Sequence, residues 1–204
     1  MTQITLQFDQ NTTIMIPGGP LRGESAASWA ASAASHFIER SHAGQVDAVA
    51  LAGVLEHVRG ATTNDPDTNT IIFEPQTHSF AHLRISVLDA SFSDEAKRGF
   101  LSPPSVVRPQ IRRAESPGLG AGCSSTVMDD DRQGVVRWLF APGGMTVCAV
   151  LGPLPPTSVM LTAATAEALL GTVRIHGITE ADLRAFDVDA FLATRSEEGS
   201  GWAV

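Results

Sequence analysis

The stretch LGAGCSSTVMDDDRQGVVRWLFAPGGMTVCAVL, residues 119–151, decides the fold. It contains three apolar runs rich in β-branched and aromatic residues, 119–128, 135–141 and 145–151. Such runs predict strands. The links between them, 129–134 and 142–144, are short enough for tight turns, which join neighbouring strands in opposite directions. The stretch therefore predicts an antiparallel meander.

Further strands are expected on both sides of this meander. Residues 5–8 and 14–16 predict one strand or a hairpin, which ends at the glycines and prolines that follow. Residues 71–73 and 159–161 are two short apolar candidates. The segment 91–118 contains four prolines, and we expect a long irregular connection there, with a short strand near 105–107 as an alternative for that part.

Residues 80–88 predict a longer strand with two different faces. Its odd-numbered residues are apolar, whereas His82 and Arg84 lie on the other face with Phe80. His78 and His82 are four residues apart, which spans ~13 Å on a strand, so both bind one metal ion only if His78 lies in a turn. A partly exposed binding surface is the alternative interpretation.

Four segments have the apolar spacing of amphipathic helices. One helix follows Ser25 as its N-cap, and a second covers residues 46–58. A third follows Thr162 as its N-cap, and a fourth begins with the capping box Thr179-x-x-Asp182. Helices at both ends of the chain, with antiparallel strands between them, predict an α+β fold. We expect one domain over 1–195, in which helices pack on an antiparallel sheet of about five to seven strands. Residues 196–204 are expected to form a flexible tail.

The order of these elements resembles that of the Mog1/PsbP-like α+β sandwich proteins. The likeness depends on a strand followed by helices, on the meander with VVRWLF at 135–140, and on a helix through LGTVRI at 170–175. The last helix, DVDAFL at 187–192, is similar to that of many small proteins of high-GC Gram-positive bacteria. The resemblance implies a binding or assembly-accessory role rather than an enzymatic one.

Composition limits the partners of the chain. The formal net charge is −8 and the sequence pI is about 5.1, so nucleic acid and anionic membranes would be repelled over most of the surface. Arg108, Arg112 and Arg113 are the best candidate for a local basic patch, with a solvated loop as the alternative. No apolar run approaches the ~18–20 residues of a membrane span, and the first residues lack a secretory pattern, so we expect the cytoplasm.

The segment GGPLRGES, residues 18–25, has the spacing of a phosphate-binding loop but not its chemistry. Glu24 occupies the position of the phosphate-binding lysine, and Pro20 removes one backbone donor from the loop. An acidic residue at a helix start is instead favoured by the helix dipole. We therefore predict a helix cap here.

Two other motifs are also expected to be structural. Gly118-x-Gly120-x-Gly122 lies within or before a strand rather than before a helix, which indicates close backbone packing and not a dinucleotide site. The segment from Asp129 begins like a calcium loop, but its twelfth position is Phe140, so an acidic hairpin turn is expected. No cofactor and no metal are predicted.

Cys123 and Cys148 fall in the first and third strands of the meander. Two strand spacings amount to ~9.5 Å, which exceeds the Cα separation of a disulfide. We expect two buried free thiols, and the sequence contains neither G-x-S-x-G nor H-E-x-x-H.

These observations favour a non-catalytic module that binds another protein. The candidate interaction surface comprises Phe100, Leu101, His78, His82, Arg84 and Trp202. For the loop and tail residues of this set, folding back onto the core is an equal alternative. Two further hypotheses stay open: a small-ligand-binding protein or enzyme with a pocket between sheet and helices, and a homo-oligomer that pairs through an edge strand.

Overall fold

The computed structural model describes residues 4–41, 43, 46–63, 65–105, 109–129 and 131–199, with the backbone alone for 194–199. Within these ranges the chain forms a seven-stranded antiparallel sheet, a separate two-stranded sheet and five α-helices. The helices pack on both faces of the large sheet. The α+β fold expected from the sequence is confirmed.

The large sheet combines an N-terminal part with the meander. From one edge to the other its strands are β2 (Thr13–Ile16), β3 (Thr68–Glu74), β4 (Ser79–Leu88), β8 (Thr146–Leu154), β7 (Gly134–Phe140), β6 (Gly120–Met128) and β5 (Ile111–Ser116). The small sheet pairs β1 (Ile4–Thr5) with β9 (Arg174–Ile175). The last strand of the meander, β8, therefore lies beside β4 in the middle of the large sheet.

The helices divide unequally between the two faces. They are α1 (Ala26–Ser41), α2 (Ala48–Ala61), α3 (Asp94–Leu101), α4 (Pro156–Thr172) and α5 (Val188–Gly199). One face packs against α4 alone, and we call it the α4 face. The other face packs against α1 and α2 at one end and against α3 and α5 at the other, and we call it the divided face. Over the described ranges no helix has the length and apolar character needed to cross a bilayer.

The α4 face contains one continuous core. Alternate residues of the central strands point towards α4, among them Leu83, Trp138 and Leu151, each at most 1% exposed. Ala166 and Leu170 of α4 pack against them. Because full burial of a large apolar side chain contributes ~1.5–3 kcal/mol, this face supplies a large part of the stability.

The divided face contains two separate apolar clusters. At the α1–α2 end, Phe37 packs edge-on against Phe73, with 5.5 Å between the ring centroids. At the α3–α5 end, Leu101 and Phe191 pack with Leu139 of β7. Strands β4 and β8 pass between the two clusters, and this middle part of the face has polar residues.

The turns of the meander have the expected chemistry. The Asp129 carboxylate accepts the Gln133 backbone N–H at 2.6 Å and so closes the β6–β7 hairpin. Between β7 and β8, Gly143 and Gly144 have φ values of 55° and 80°. A Cβ on Gly143 would lie 2.9 Å from Ile178 Cδ1, so glycine also allows a close approach there. The predicted meander and its acidic turn are confirmed.

The prediction of a strand at 159–161 is wrong. These residues belong to α4, which begins at Pro156, six residues before the predicted N-cap Thr162. Proline is well suited to the first turn of a helix because its φ is already helical and its missing N–H is not needed. A short apolar run has no clear period, so its pattern does not distinguish a strand from a buried helical turn.

The segment 91–118 is more regular than expected. Ser93 is the N-cap of α3, and its hydroxyl accepts the Ala96 backbone N–H at 3.2 Å. Strand β5 follows after the first prolines, while residues 106 and 107 of the strand expected near 105–107 lie outside the described residues. Its residues Arg112, Arg113 and Glu115 are exposed because β5 is an edge strand, so it lacks the apolar alternation by which strands are recognised.

Both ends of the chain differ from the prediction. Residues 5–8 and 14–16 do not form one strand or hairpin, because β1 pairs with β9 whereas β2 pairs with β3. The Thr179 capping box is present, but it begins a 3₁₀ turn, Asp182–Arg184, and α5 starts later, at Val188. Helix α5 continues to Gly199, four residues into the predicted tail, and 200–204 lie outside the described residues.

Candidate functional site

The glycine-rich loop before α1 is held as a helix cap. The Ser25 hydroxyl accepts the Ser28 backbone N–H at 3.1 Å, and the Ser28 hydroxyl donates to the Glu24 carboxylate at 3.2 Å. Behind the loop, the buried Arg59 guanidinium donates to the Gly19 carbonyl. The Arg59 guanidinium is therefore already bonded to a backbone oxygen of the loop. The predicted helix cap is confirmed.

The glycines of the Gly118-x-Gly120-x-Gly122 motif allow close packing. Gly120 has a φ of 79°, and a Cβ there would collide with the Leu183 carbonyl oxygen. A Cβ on Gly122 would collide with the Phe140 ring. Both residues lie in β6, as expected for a strand rather than a dinucleotide-binding turn.

Cys123 and Cys148 are buried free thiols, as predicted. Each lies opposite Leu139, one on either side of β7, so they are two strands apart. Burial raises the pKa of Cys123 to about 11 and that of Cys148 to about 12. Since the thiolate is the nucleophilic form, neither sulfur is activated at neutral pH.

Three of the residues expected to form an interaction surface lie on the divided face. His82 and Arg84 project from β4, and Phe100 at the end of α3 lies against Arg137 of β7. Val150 of β8 lies between the two arginines. We call these five residues the central patch.

The two arginines of the central patch belong to one cross-strand row. Arg84 is opposite Val150 on one side, and Arg137 is opposite Val150 on the other. Their Cα atoms are thus about two strand spacings apart, ~9.5 Å. The Arg84 side chain is 50% exposed, while Val150 and Arg137 are partly buried. The row presents an apolar side chain between two cations.

Arg137 is held in place by α3. Its Nη1 donates to the Phe100 carbonyl at 2.7 Å, and its guanidinium lies 5.5 Å from the centroid of the Phe100 ring. Burial lowers the pKa of Arg137, and Nε has no hydrogen-bond partner in the described part of the chain. A partly desolvated guanidinium of this kind is stabilised when an anion binds it.

Arg84 has a weak carboxylate partner. Its Nε lies 3.5 Å from Asp67 Oδ2, and the Ser86 hydroxyl donates to the same oxygen at 2.6 Å. Burial, followed by the nearby Asp65, raises the pKa of Asp67, while Ser86 and Arg84 act in the opposite direction. A single long contact on a half-exposed side chain contributes little, so Arg84 is available to a second anion.

His82 is neutral at neutral pH. Its Nε2 lies 2.8 Å from Asn69 Oδ1, and Asn69 Nδ2 donates to the Asp67 carbonyl. Because the amide oxygen accepts, Nε2 is the protonated nitrogen of the ring. Burial lowers the pKa of His82, and the charge of Arg84 lowers it further. The positive charge of the central patch therefore comes from its arginines.

Ser86 and His82, two side chains of this strand face, do not form a nucleophile–base pair. The Ser86 hydroxyl is bonded to a carboxylate and His82 is bonded to an amide. Over the described ranges, no group of three or more His, Cys, Asp or Glu side chains is placed to hold a metal ion.

The other predicted surface residues are not part of the central patch. His78 is exposed in the turn before β4, with a φ of 49°. Leu101 is fully buried in the α3–α5 cluster, which is the alternative that the sequence left open. Trp202 lies outside the described residues.

The candidate basic patch at 108–113 is not assembled by the described residues. Arg113 is bonded to Glu115 and Asp189 on the divided face, at 3.0 and 2.8 Å. Arg112, the next residue of the strand, is exposed and points to the α4 face. Arg108 lies outside the described residues.

Sequence reasoning missed Arg137 and Val150. The alternation of 135–140 places Arg137 on one face with Leu139, which was visible in the sequence. The sequence does not show which strands neighbour β7. Arg84 enters the same row only because β8 pairs with β4 on one side and with β7 on the other.

Comparison of the chain with protein-family models, with curated proteins and with solved structures finds no match. The resemblance to Mog1/PsbP-like proteins therefore stays a prediction.

Proposed function

We propose that this chain is a non-catalytic protein-interaction or assembly-accessory module that binds an acidic segment of a partner protein at the central patch. One observation supports this proposal above the others. Arg84 and Arg137 flank Val150 in a single row on the middle of the divided face, in a chain whose net charge is −8. A local pair of cations on an acidic protein attracts and orients an anionic segment.

The contacts of the central patch suggest how such a segment would bind. Carboxylates would accept hydrogen bonds from the two guanidinium groups, of which that of Arg84 is the more exposed. An apolar part of the segment would cover Val150 and Phe100, both of which are partly buried. Each charge-assisted hydrogen bond contributes ~1.5–3 kcal/mol, so two of them support a Kd on the order of 10⁻⁴–10⁻² M for a short peptide.

The class of partner and the compartment are proposed from composition and from the two thiols. A short acidic segment of a protein is favoured over nucleic acid, because a long phosphate backbone would extend beyond the central patch over a chain whose net charge is −8. A likeness to PsbP-type accessory proteins would agree with a binding role. We propose the cytoplasm as the compartment, where two free buried thiols stay reduced.

A fluorescently labelled hexaglutamate peptide tests the proposal by anisotropy at low salt. We expect Arg84→Gln and Arg137→Gln each to weaken binding about tenfold, and added salt to weaken it further. Arg112→Gln is the matched control, since Arg112 is exposed on the opposite face. Equal losses in all three variants, or binding by none of the proteins including the wild type, would contradict the proposal.

A second candidate function is the binding of a small ligand on the α4 face. A groove of about 610 Å³ lies between α4 and strands β5–β6, with Thr126 and Met160 in its walls. Glu167 at the groove accepts a hydrogen bond from Trp138 Nε1 at 3.2 Å. A thermal-shift screen with nucleotides, sugars and acyl compounds tests this candidate, and stabilisation by several degrees that Glu167→Gln removes would support it.

A further inference from the structure

Strand β5 forms one edge of the large sheet. No strand pairs with its outer side within the described residues, so its outward backbone groups have no partner strand there and can pair with a further strand. The opposite edge, β2, has four residues, most of them buried, whereas β5 has six and exposes its charged side chains. Of the two edges, β5 is therefore the longer and the more accessible.

The charged residues of β5 are ordered so that they can form ion pairs with those of a second, identical strand. Arg113 and Glu115 lie on the divided face, with Ala114 between them on the α4 face. In antiparallel pairing of two identical strands centred on Ala114, Arg113 of each copy is opposite Glu115 of the other. Directly opposite side chains have Cβ atoms ~4.5–5.5 Å apart, close enough for both ion pairs.

We propose that two copies of this chain pair through β5, antiparallel, with Ala114 opposite Ala114 of the second copy. The large sheet then continues from one copy into the other. On the α4 face, Arg112 is opposite Ser116 of the second copy, so no like charges meet there. Charged side chains normally protect an edge strand from pairing, and here they still exclude partners with a different charge order.

The existing contacts of Arg113 are compatible with this pairing. Its guanidinium contacts Glu115 of its own strand and Asp189 of α5, and its side chain remains 47% exposed. Glu115 and Asp189 are 71% and 81% exposed, so on the divided face of this edge two exposed carboxylates share the one guanidinium of Arg113. Backbone hydrogen bonds would provide most of the affinity, and the charges would select the register.

The expected dimer is weak. A single pair of six-residue strands buries less than the ~800 Å² per partner of a standard stable interface. We therefore expect a Kd in the micromolar to millimolar range, seen as a rise in mean mass with protein concentration.

Charge reversal tests the register directly in sedimentation velocity experiments on the full chain. Arg113→Glu alone places two Glu–Glu pairs at the interface, and Glu115→Arg alone places two Arg–Arg pairs. We expect the dimer Kd of each variant to be at least tenfold higher than that of the wild type. An equal mixture of the two variants restores both Arg–Glu pairs, so we expect a heterodimer about as tight as the wild-type dimer.

Arg112→Glu is the control, because Arg112 is opposite a serine of the second copy. This variant should change the dimer Kd less than threefold. Circular dichroism and thermal unfolding of each variant verify that it is folded, and Arg113→Asp with Glu115→Lys forms a second matched pair. Wild-type protein that stays monomeric up to ~1 mM, single variants that dimerise like the wild type, or a mixture that stays monomeric would each overturn the proposal.

Discussion

The two faces of the large sheet bury their strands differently. On the α4 face, one helix covers a continuous core that includes Trp138, Leu83 and Leu151. On the divided face, two helical pairs cover the two ends, and the strands between them present Arg84 and Arg137. The same strands thus contribute to a sealed core on one side and to a polar surface on the other.

This difference separates stability from recognition. Apolar residues that are fully buried against α4 stabilise the fold, and their loss leaves a cavity. Charged residues on the middle of the divided face lose part of their hydration and gain little from the fold in return. We therefore expect substitutions on the α4 face to change unfolding, and substitutions in the central patch to change binding.

The largest effect is expected at Trp138, which is 1% exposed on the α4 face. Trp138→Ala removes the ring from the core and should lower the free energy of unfolding by ~3–5 kcal/mol. Trp138→Phe keeps most of the apolar volume and loses the hydrogen bond to Glu167, so a smaller loss of ~1–2 kcal/mol is expected. Chemical denaturation followed by circular dichroism measures both, and equal losses would indicate that this core is not tightly packed.

A somewhat smaller effect is expected at Leu101, in the α3–α5 cluster of the divided face. Leu101→Ala should destabilise the protein by ~2–4 kcal/mol, because the side chain is fully buried but its cluster is smaller. Leu101→Met, which conserves volume, should cost less than ~1.5 kcal/mol. A loss below ~1 kcal/mol for the alanine variant would show that α3 is not docked as described.

Stability should change little at Arg137. Arg137→Met keeps an unbranched apolar chain and removes a partly desolvated charge, so the free energy of unfolding should stay within ~1 kcal/mol of the wild type. Hexaglutamate binding should nevertheless fall about tenfold. A large loss of stability together with unchanged binding would reverse the roles that we assign to the two faces.

The smallest effect concerns the pH dependence contributed by His82. Its pKa in the folded protein is lowered by burial and by Arg84, so the unfolded chain takes up a proton first as the pH falls. This contribution to stability is complete above the ordinary pKa of 6.5 and is lost as the pH falls from there through the lowered value. Between about pH 7.5 and about pH 5.5, the wild type should lose more stability than His82→Gln. Thermal unfolding of both proteins provides the comparison, and a larger loss in the variant would contradict the buried, neutral imidazole.

The sequence predicts the meander well because its signals are local. Each signal lies within a few residues of the element that it predicts. Apolar alternation over 135–140 predicts β7, and the acidic turn and the Pro-Gly-Gly turn predict the two hairpins on either side of it. The same holds for Ser25 as the N-cap of α1. Strand β5 is missed because it is polar as an edge strand, which depends on distant neighbours. Residues 159–161 are missed for a local reason, since a short apolar run does not distinguish a strand from the first turns of α4.

The central patch was predictable in part for the same reason. Alternation along β4 identified His82 and Arg84 as residues of one exposed strand face. Their grouping with Arg137 requires the order β4-β8-β7, which joins strands more than 50 residues apart in the chain. The sequence predicts a loop at Phe100, with exposure and packing on the core as equal alternatives. Phe100 instead lies at the end of a helix, where it is partly buried against the α3–α5 cluster and packs on the arginine.

The account depends on the middle of the divided face being the surface that binds an anionic segment. Backbone amide chemical shifts, followed while hexaglutamate is added to the isotopically labelled protein at low salt, test this most directly. We predict that the largest changes occur at Arg84, Val150 and Arg137, and that they vanish in the double variant Arg84→Gln/Arg137→Gln. Changes centred instead on Arg112 and its neighbours on the α4 face, and unaffected by the double variant, would contradict it.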